Sequence, residues 1–207
     1  MKKILYLLII LLLANCATVE ERTPESYEYV WPMPPLEPKI RFERSLWGEE
    51  DITKAAPTEI ILGREPSTDL IKPYGLFVDL NGVLYVTDTS LHSVFVFDIP
   101  LRQFRIIGRK ELFVPADVAV DEFKNRIYVS DTGRQEILVF DDLGRLIKFF
   151  GKGKVRNPAG MAIDTLTERL FVASIKTHTI EVFNLDGKYL YTIGGRGNAP
   201  GMFNMPT

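Results

Sequence analysis

Pro115-Ala116-Asp117-Val118-Ala119-Val120-Asp121, which opens a copy with β-rich runs at Asp117–Val120, Arg126–Ser130, Glu136–Asp141 and Leu146–Phe150, decides the fold of this chain. Each run is short and rich in Val, Ile, Phe, Tyr or Leu, side chains that suit a pleated, half-buried surface. Between the runs stand Asp121-Glu122-Phe123-Lys124-Asn125 and Asp141-Asp142-Leu143-Gly144, whose Asp, Asn and Gly residues favour tight turns. The same block precedes and follows it. Pro73–Asp79 and Pro158–Asp164 echo the first run, Leu84–Asp88 and Leu170–Ser174 the second, Val94–Asp98 and Ile180–Asn184 the third. Asp88, Asp131 and Ser174, like Gly108, Gly151 and Gly194, are spaced by about 43 residues.

Four strands in about 43 residues, with no run at the helical period of 3.6, predict an all-β fold, a β-propeller of four-stranded blades. About three full blades are expected, with partial blades beside them. Helical repeats of similar length are excluded. The composition fits a folded domain: 46% hydrophobic, 25% charged, with 13 Phe, 8 Tyr and 2 Trp. The formal charge is −2, and becomes −4 if Lys2 and Lys3 leave with a leader, so no electrostatic footprint for nucleic acid is expected. No nucleic-acid partner is expected.

Residues 1–16 read as a secretory leader, with Lys2-Lys3 ahead of the ten-residue apolar run Ile4–Leu13. That run is shorter than the roughly 20 residues a membrane span needs. Leu13-Ala14-Asn15-Cys16 resembles the lipobox of bacterial lipoproteins, with Asn15 where a small residue is usual. The resemblance implies acylation of Cys16, the single cysteine, and Ala17 after it implies the periplasmic side of the outer membrane. Residues 17–39 are polar and proline-rich, and read either as an extended tether or, through Val30-Trp31-Pro32-Met33, as a strap along the body. Residues 40–207 form the propeller region, incomplete at the carboxyl end. In it, Ile40–Leu46 is expected to open an incomplete blade that Glu59–Gly63 closes.

The block Pro-x-Gly, an apolar strand ending in Asp, Leu-Tyr-Val-x-Asp-Thr, then an apolar run ending Phe-Asp and a Gly, resembles the NHL repeat over residues 73–207. That resemblance implies a six-bladed disc in the complete protein, of which this sequence would be a carboxyl-truncated fragment. The leader, the tether and Trp31-Pro32-Met33-Pro34-Pro35 before Ile40-Arg41-Phe42 resemble a bacterial subgroup of envelope NHL lipoproteins.

Several residues repeat in register and are candidate sites. Asp88, Asp131 and Ser174 follow the second strand of their copies, where a short acceptor side chain caps turn amides. Metal binding is not expected, since it needs several ligands at one point. His92, Gln135 and His178 share one slot, and the Gln points to hydrogen bonding at the outer part of each blade rather than zinc ligation. Asp79, Asp121 and Asp164 close the innermost strand and read either as a channel-facing acidic ring or as turn caps. Gly194-Gly195-Arg196-Gly197 has no helix after it and reads as an interblade turn.

No acid–base pair, activated nucleophile or metal cluster assembles from these residues, and no cofactor is expected. The expected role is noncatalytic: a lipid-anchored scaffold in the cell envelope whose loops bind a protein or surface complex. The alternative, from six-bladed relatives, is a metal-dependent lactonase-like hydrolase or a peptidyl-hydroxyglycine lyase-like enzyme with axial ligands in further blades.

Overall fold

A computed structural model describes residues 29–33, 35–53 and 68–207. Cys16, the leader and the Glu59–Gly63 run lie outside the described residues. The chain divides into a unit ending at Ser45 and a unit comprising Leu46–Thr207.

In the first unit, β1 (Val30–Trp31) pairs antiparallel with β2 (Ile40–Arg41), Val30 opposite Arg41 and Trp31 opposite Ile40. Phe42 donates its amide to the Tyr29 carbonyl at 2.7 Å, and the two rings meet edge to face. The strand expected over Ile40–Leu46 is therefore two residues long and belongs to this small hairpin. Leu46 instead joins the second unit, where it packs with Ile52 and Leu70 against the first blade.

The second unit holds three four-stranded antiparallel sheets in plain up-and-down order. The first is β3 (Pro73–Val78), β4 (Val83–Asp88), β5 (Ser93–Asp98) and β6 (Gln103–Ile107). The second is β7 (Pro115–Asp121), β8 (Arg126–Asp131), β9 (Glu136–Asp141) and β10 (Leu146–Phe150). The third is β11 (Pro158–Asp164), β12 (Arg169–Ser174), β13 (Thr179–Asn184) and β14 (Tyr189–Gly194). Each blade opens on a proline and shifts register within its first residues. Proline has no amide to give a ladder, so it suits the first position of a strand beside a bulge.

Side chains alternate between the faces of each sheet, so every blade has two apolar faces to cover. Val83, Tyr85, Val94 and Val96 of the first blade meet Val118, Ile127, Leu138 and Phe140 of the second. Tyr128, Ile137 and Val139, on the other side of the second blade, meet Leu170, Val172 and Phe183 of the third. Each such side chain is worth about 1.5–3 kcal/mol when fully buried, which makes the blade interfaces the core of this unit.

Tyr85, Tyr128 and Phe171 occupy one repeat position and point the same way round the arc. The first two are buried at the next interface, whereas Phe171 is half-buried and lines a shallow cleft of about 260 Å³ with Ile180 and Thr207. Position in the arc accounts for the difference.

Candidate functional site

The strand registers place the β4–β5, β8–β9 and β12–β13 loops on one rim, beside the segments that lead into β3, β7 and β11. One carboxylate ties each pair together. Asp131, fully buried, accepts through Oδ2 from the Phe113 amide (2.6 Å) and through Oδ1 from Val114, Gly133 and Arg134 (3.0, 3.0 and 2.9 Å). Asp88 does the same with Ile71 and Lys72 on one oxygen and Ser90 and Leu91 on the other. Amides buried without partners are costly, so a side chain that satisfies four of them fixes both loops.

Ser174 is shorter and reaches only the Arg156 backbone, accepting from its amide and donating to its carbonyl. Here the loop forms a single 3-10 turn, Ile175–Thr177, and the Thr177 hydroxyl lies 2.7 Å from that of Ser174. A chain of side chains continues inward. Thr177 bonds Thr179, Thr179 donates to Glu181, Thr192 donates to the other Glu181 oxygen, and Tyr189 bonds Thr192. Glu181 is buried at the position that Leu138 holds in the second blade, so a carboxylate lost at Ser174 returns on the neighbouring strand.

His92, Gln135 and His178 all adopt the left-handed conformation, with φ of 51°, 59° and 59°. They sit on the rim loops, not at the outer part of the blades. His92 bonds the Phe113 carbonyl through Nδ1 and stacks on the Phe113 ring, while His178 Nδ1 accepts from the Met205 amide at 3.0 Å. Each histidine thus reaches the segment that follows its own blade. The structure does not bring them together.

Asp79, Asp121 and Asp164 lie on the opposite rim, each bonded to its own turn. Asp79 accepts from Asn81 and Val83, Asp121 from Phe123 and Lys124, Asp164 from Leu166 and Thr167. The Thr167 hydroxyl, with its amide, holds the Asp164 carboxyl below the usual carboxylate range. The second oxygen of Asp121 is buried without a partner. Among the described residues, no group of three or more His, Cys, Asp or Glu is placed to hold a metal ion.

Between the inner strands, the loop rim opens into an apolar mouth of about 260 Å³, lined by Tyr74 and Thr89 of the first blade, Ala116 and Thr132 of the second and Ala159 of the third. Asp117, next to Ala116 on β7, lines the shallow cleft with Phe171 and Thr207, and stands where the other copies have Gly75 and Gly160. It accepts from the Met161 amide at 2.7 Å, and burial pushes its carboxyl up against the lowering effect of the Met161 and Val118 amides. Sequence reading passed over Asp117. The signal was present as the one charged residue at a glycine position of the repeat.

Charge separates between the rims. On the turn rim, cations are paired: Lys124 with Glu168 (2.8 Å), Arg126 with Asp186 (3.1 Å) and Arg145 with Asp141 (2.6 Å). On the loop rim of the second and third blades, Arg134, Lys152, Lys154, Arg156, Lys176 and Arg196 are all exposed. Among the described residues, the buried Glu136 pairs with two of them, 3.5 Å from Arg134 and 3.8 Å from Lys152.

No family model matches the sequence, and a search of curated proteins found no match. Solved structures do match. The hydrazine synthase of Kuenenia stuttgartiensis aligns at TM-score 0.54 and 22% identity, over 68% of this chain and 40% of that one. A chain of a nidogen/laminin complex aligns at TM-score 0.51 and 23% identity, over 61% of this chain and 52% of that one. The chain thus spans about half or less of the structures it resembles. At this identity the likeness speaks to fold alone, and together with the three radial sheets it shows a β-propeller.

Proposed function

We propose that this chain is a lipid-anchored, noncatalytic NHL-type propeller that presents its loop rim to a partner in the cell envelope. The NHL assignment rests on the repeat block, and the six-bladed disc follows from that resemblance. The anchor rests on Leu13-Ala14-Asn15-Cys16 behind a leader-like apolar run. The observation that carries the reading is Asp131: one buried carboxylate fastens two adjacent loops through four amides, a device that holds a surface in one shape. Pre-shaped loops bind without the entropy cost of ordering them.

Two measurements test this. Labelled palmitate should enter the parent protein and fail to enter Cys16→Ala; equal labelling removes the anchor. A photocrosslinker at position 176 should capture envelope material, whereas one at 188 on the other rim should not. Stoichiometric zinc or calcium in the purified protein, with hydrolase or lyase turnover, would establish the metal-dependent enzyme instead.

A further inference from the structure

Arg134, Lys152, Lys154, Arg156, Lys176 and Arg196 come from four separate stretches of chain, at the β8–β9 loop, the β10–β11 segment, the β12–β13 loop and the segment after β14, and Lys72, Arg109 and Lys110 are exposed on the segments that lead into β3 and β7. Residues 151–157 and 194–207 contain no Asp or Glu. Asp131 is bonded to four amides, and among the described residues the carboxylate paired with Arg134 and Lys152 is Glu136, while Glu111 lies beside Arg109 and Lys110 on the segment into β7. The formal charge of −2 sums over the whole chain and does not show this local excess.

Exposed cations crowded on one rim repel each other in water, and an anionic surface relieves that repulsion. Phe113 and Met205, 60% and 61% exposed, project from the same rim. The mouth between the inner strands is mostly apolar and carries one cation, Lys72, on its lining. Cations spread over two blades, with apolar side chains beside them, suit an extended anionic surface whose charges rearrange to meet them.

We infer that the loop rim docks on an anionic phospholipid bilayer, with the cations at headgroup phosphates and Phe113 and Met205 at the acyl boundary. This rests on the lipid-anchored reading and names the surface that the rim faces. An acyl chain alone leaves orientation free; a basic rim sets it, and basic residues near such a surface contribute roughly fivefold each to binding.

The test is vesicle flotation of the full chain carrying Cys16→Ala, on phosphatidylcholine with and without phosphatidylglycerol. Any contribution of the leader is common to all variants, so the readout is the preference for anionic over neutral vesicles. Lys152→Gln/Lys154→Gln/Arg156→Gln should lower that preference roughly a hundredfold, and raised salt should abolish it. Lys152→Arg/Lys154→Arg should keep it. Arg102→Gln/Arg145→Gln/Lys188→Gln, which removes equal charge from the other rim, should also keep it. Equal flotation on both vesicles, or equal loss in both triple variants, overturns the inference. Crosslinking from position 154 to an acidic envelope protein, without vesicle preference, overturns it too and leaves the scaffold reading standing. Palmitate labelling reports on the anchor separately.

Discussion

The Ser130 hydroxyl donates to the Ala159 carbonyl at 2.8 Å across the boundary between the second and third blades, and accepts from the Asp117 amide at 3.0 Å. Thr87 makes the matching bond to the Ala116 carbonyl, at 3.2 Å, across the first boundary. One hydroxyl therefore ties the inner strand of its own blade to that of the next. Ala173 stands at this position in the third blade, so alanine fits the strand and only the bonds are at stake. Ser130→Ala should cost about 1–3 kcal/mol, because a buried carbonyl and amide lose their partner together. Ser130→Thr should cost far less. Urea unfolding with an unchanged slope checks this, and a parental midpoint for Ser130→Ala would refute it.

Asp131 predicts a larger and more local effect. Removing an acceptor of four amides should cost about 3–5 kcal/mol in Asp131→Ala, near the top of the range for single substitutions. Asp131→Ser should fall between alanine and the parent, since Ser174 shows that a hydroxyl can serve the entry segment alone. Hydrogen exchange gives the specific signature. The amides of Phe113, Val114, Gly133 and Arg134 should lose protection before those of β9 do.

Tyr128 gives a smaller test of the same interface. Its hydroxyl donates to the Leu185 carbonyl at 2.9 Å and is buried. Tyr128→Phe keeps the ring and should cost about 1 kcal/mol. Phe171→Tyr, at the half-buried end of the arc, should change stability by less than that. A cost for Tyr128→Phe matched by no exposure change in the ring would fit; a cost of several kcal/mol would indicate lost packing instead.

The blades were legible because each is a local object: its strands, turns and prolines recur at one spacing, and periodicity reads local order well. What joins blades was less legible. Ser130 and Thr87 looked like ordinary strand residues, since their acceptors lie in the next copy. Asp117 replaces a glycine of the repeat, and the amide it binds, that of Met161, lies in the next copy. The basic rim was missed because a net charge sums over faces that only the fold separates. Ile40–Leu46 went wrong for a related reason: the apolar pattern suggested a blade strand, but Ile40 pairs with Trp31 within a separate hairpin.

Gly75 should tolerate no side chain. A Cβ there would lie 2.7 Å from the Asp117 Cα and nearer still to the Ala116 carbonyl, both backbone of the next blade. Gly75→Ala must push the first two blades apart and should cost at least about 2 kcal/mol. Gly153 is the control. It has φ of +77° and open space, so Gly153→Ala should cost only the left-handed penalty of about 1 kcal/mol. Thermal unfolding should rank the two in that order; the reverse order would place the blades further apart than described.

Asp117 should make stability depend on pH in the direction opposite to Asp164. Burial raises the Asp117 carboxyl above its ordinary value, so the folded state binds a proton more tightly than the unfolded state. Between the ordinary carboxylate pKa and the raised one, the native state holds more protons, and unfolding free energy falls as pH rises. Asp117 therefore weakens the fold at neutral pH, and the penalty lifts as pH drops through its raised pKa. Asp164, held low by Thr167, contributes stability above the ordinary carboxylate range and loses it as pH falls through its lowered pKa. Asp117→Asn keeps an oxygen for the Met161 amide and removes the buried charge. It should be more stable than the parent at neutral pH, with the advantage shrinking to nothing on acidification below the ordinary carboxylate range. Asp164→Asn should be less stable at neutral pH, and its deficit should close on the acid side. Urea midpoints across pH for the two variants decide it: an Asp117→Asn variant that is no more stable than the parent at neutral pH shows that the Met161 amide outweighs burial.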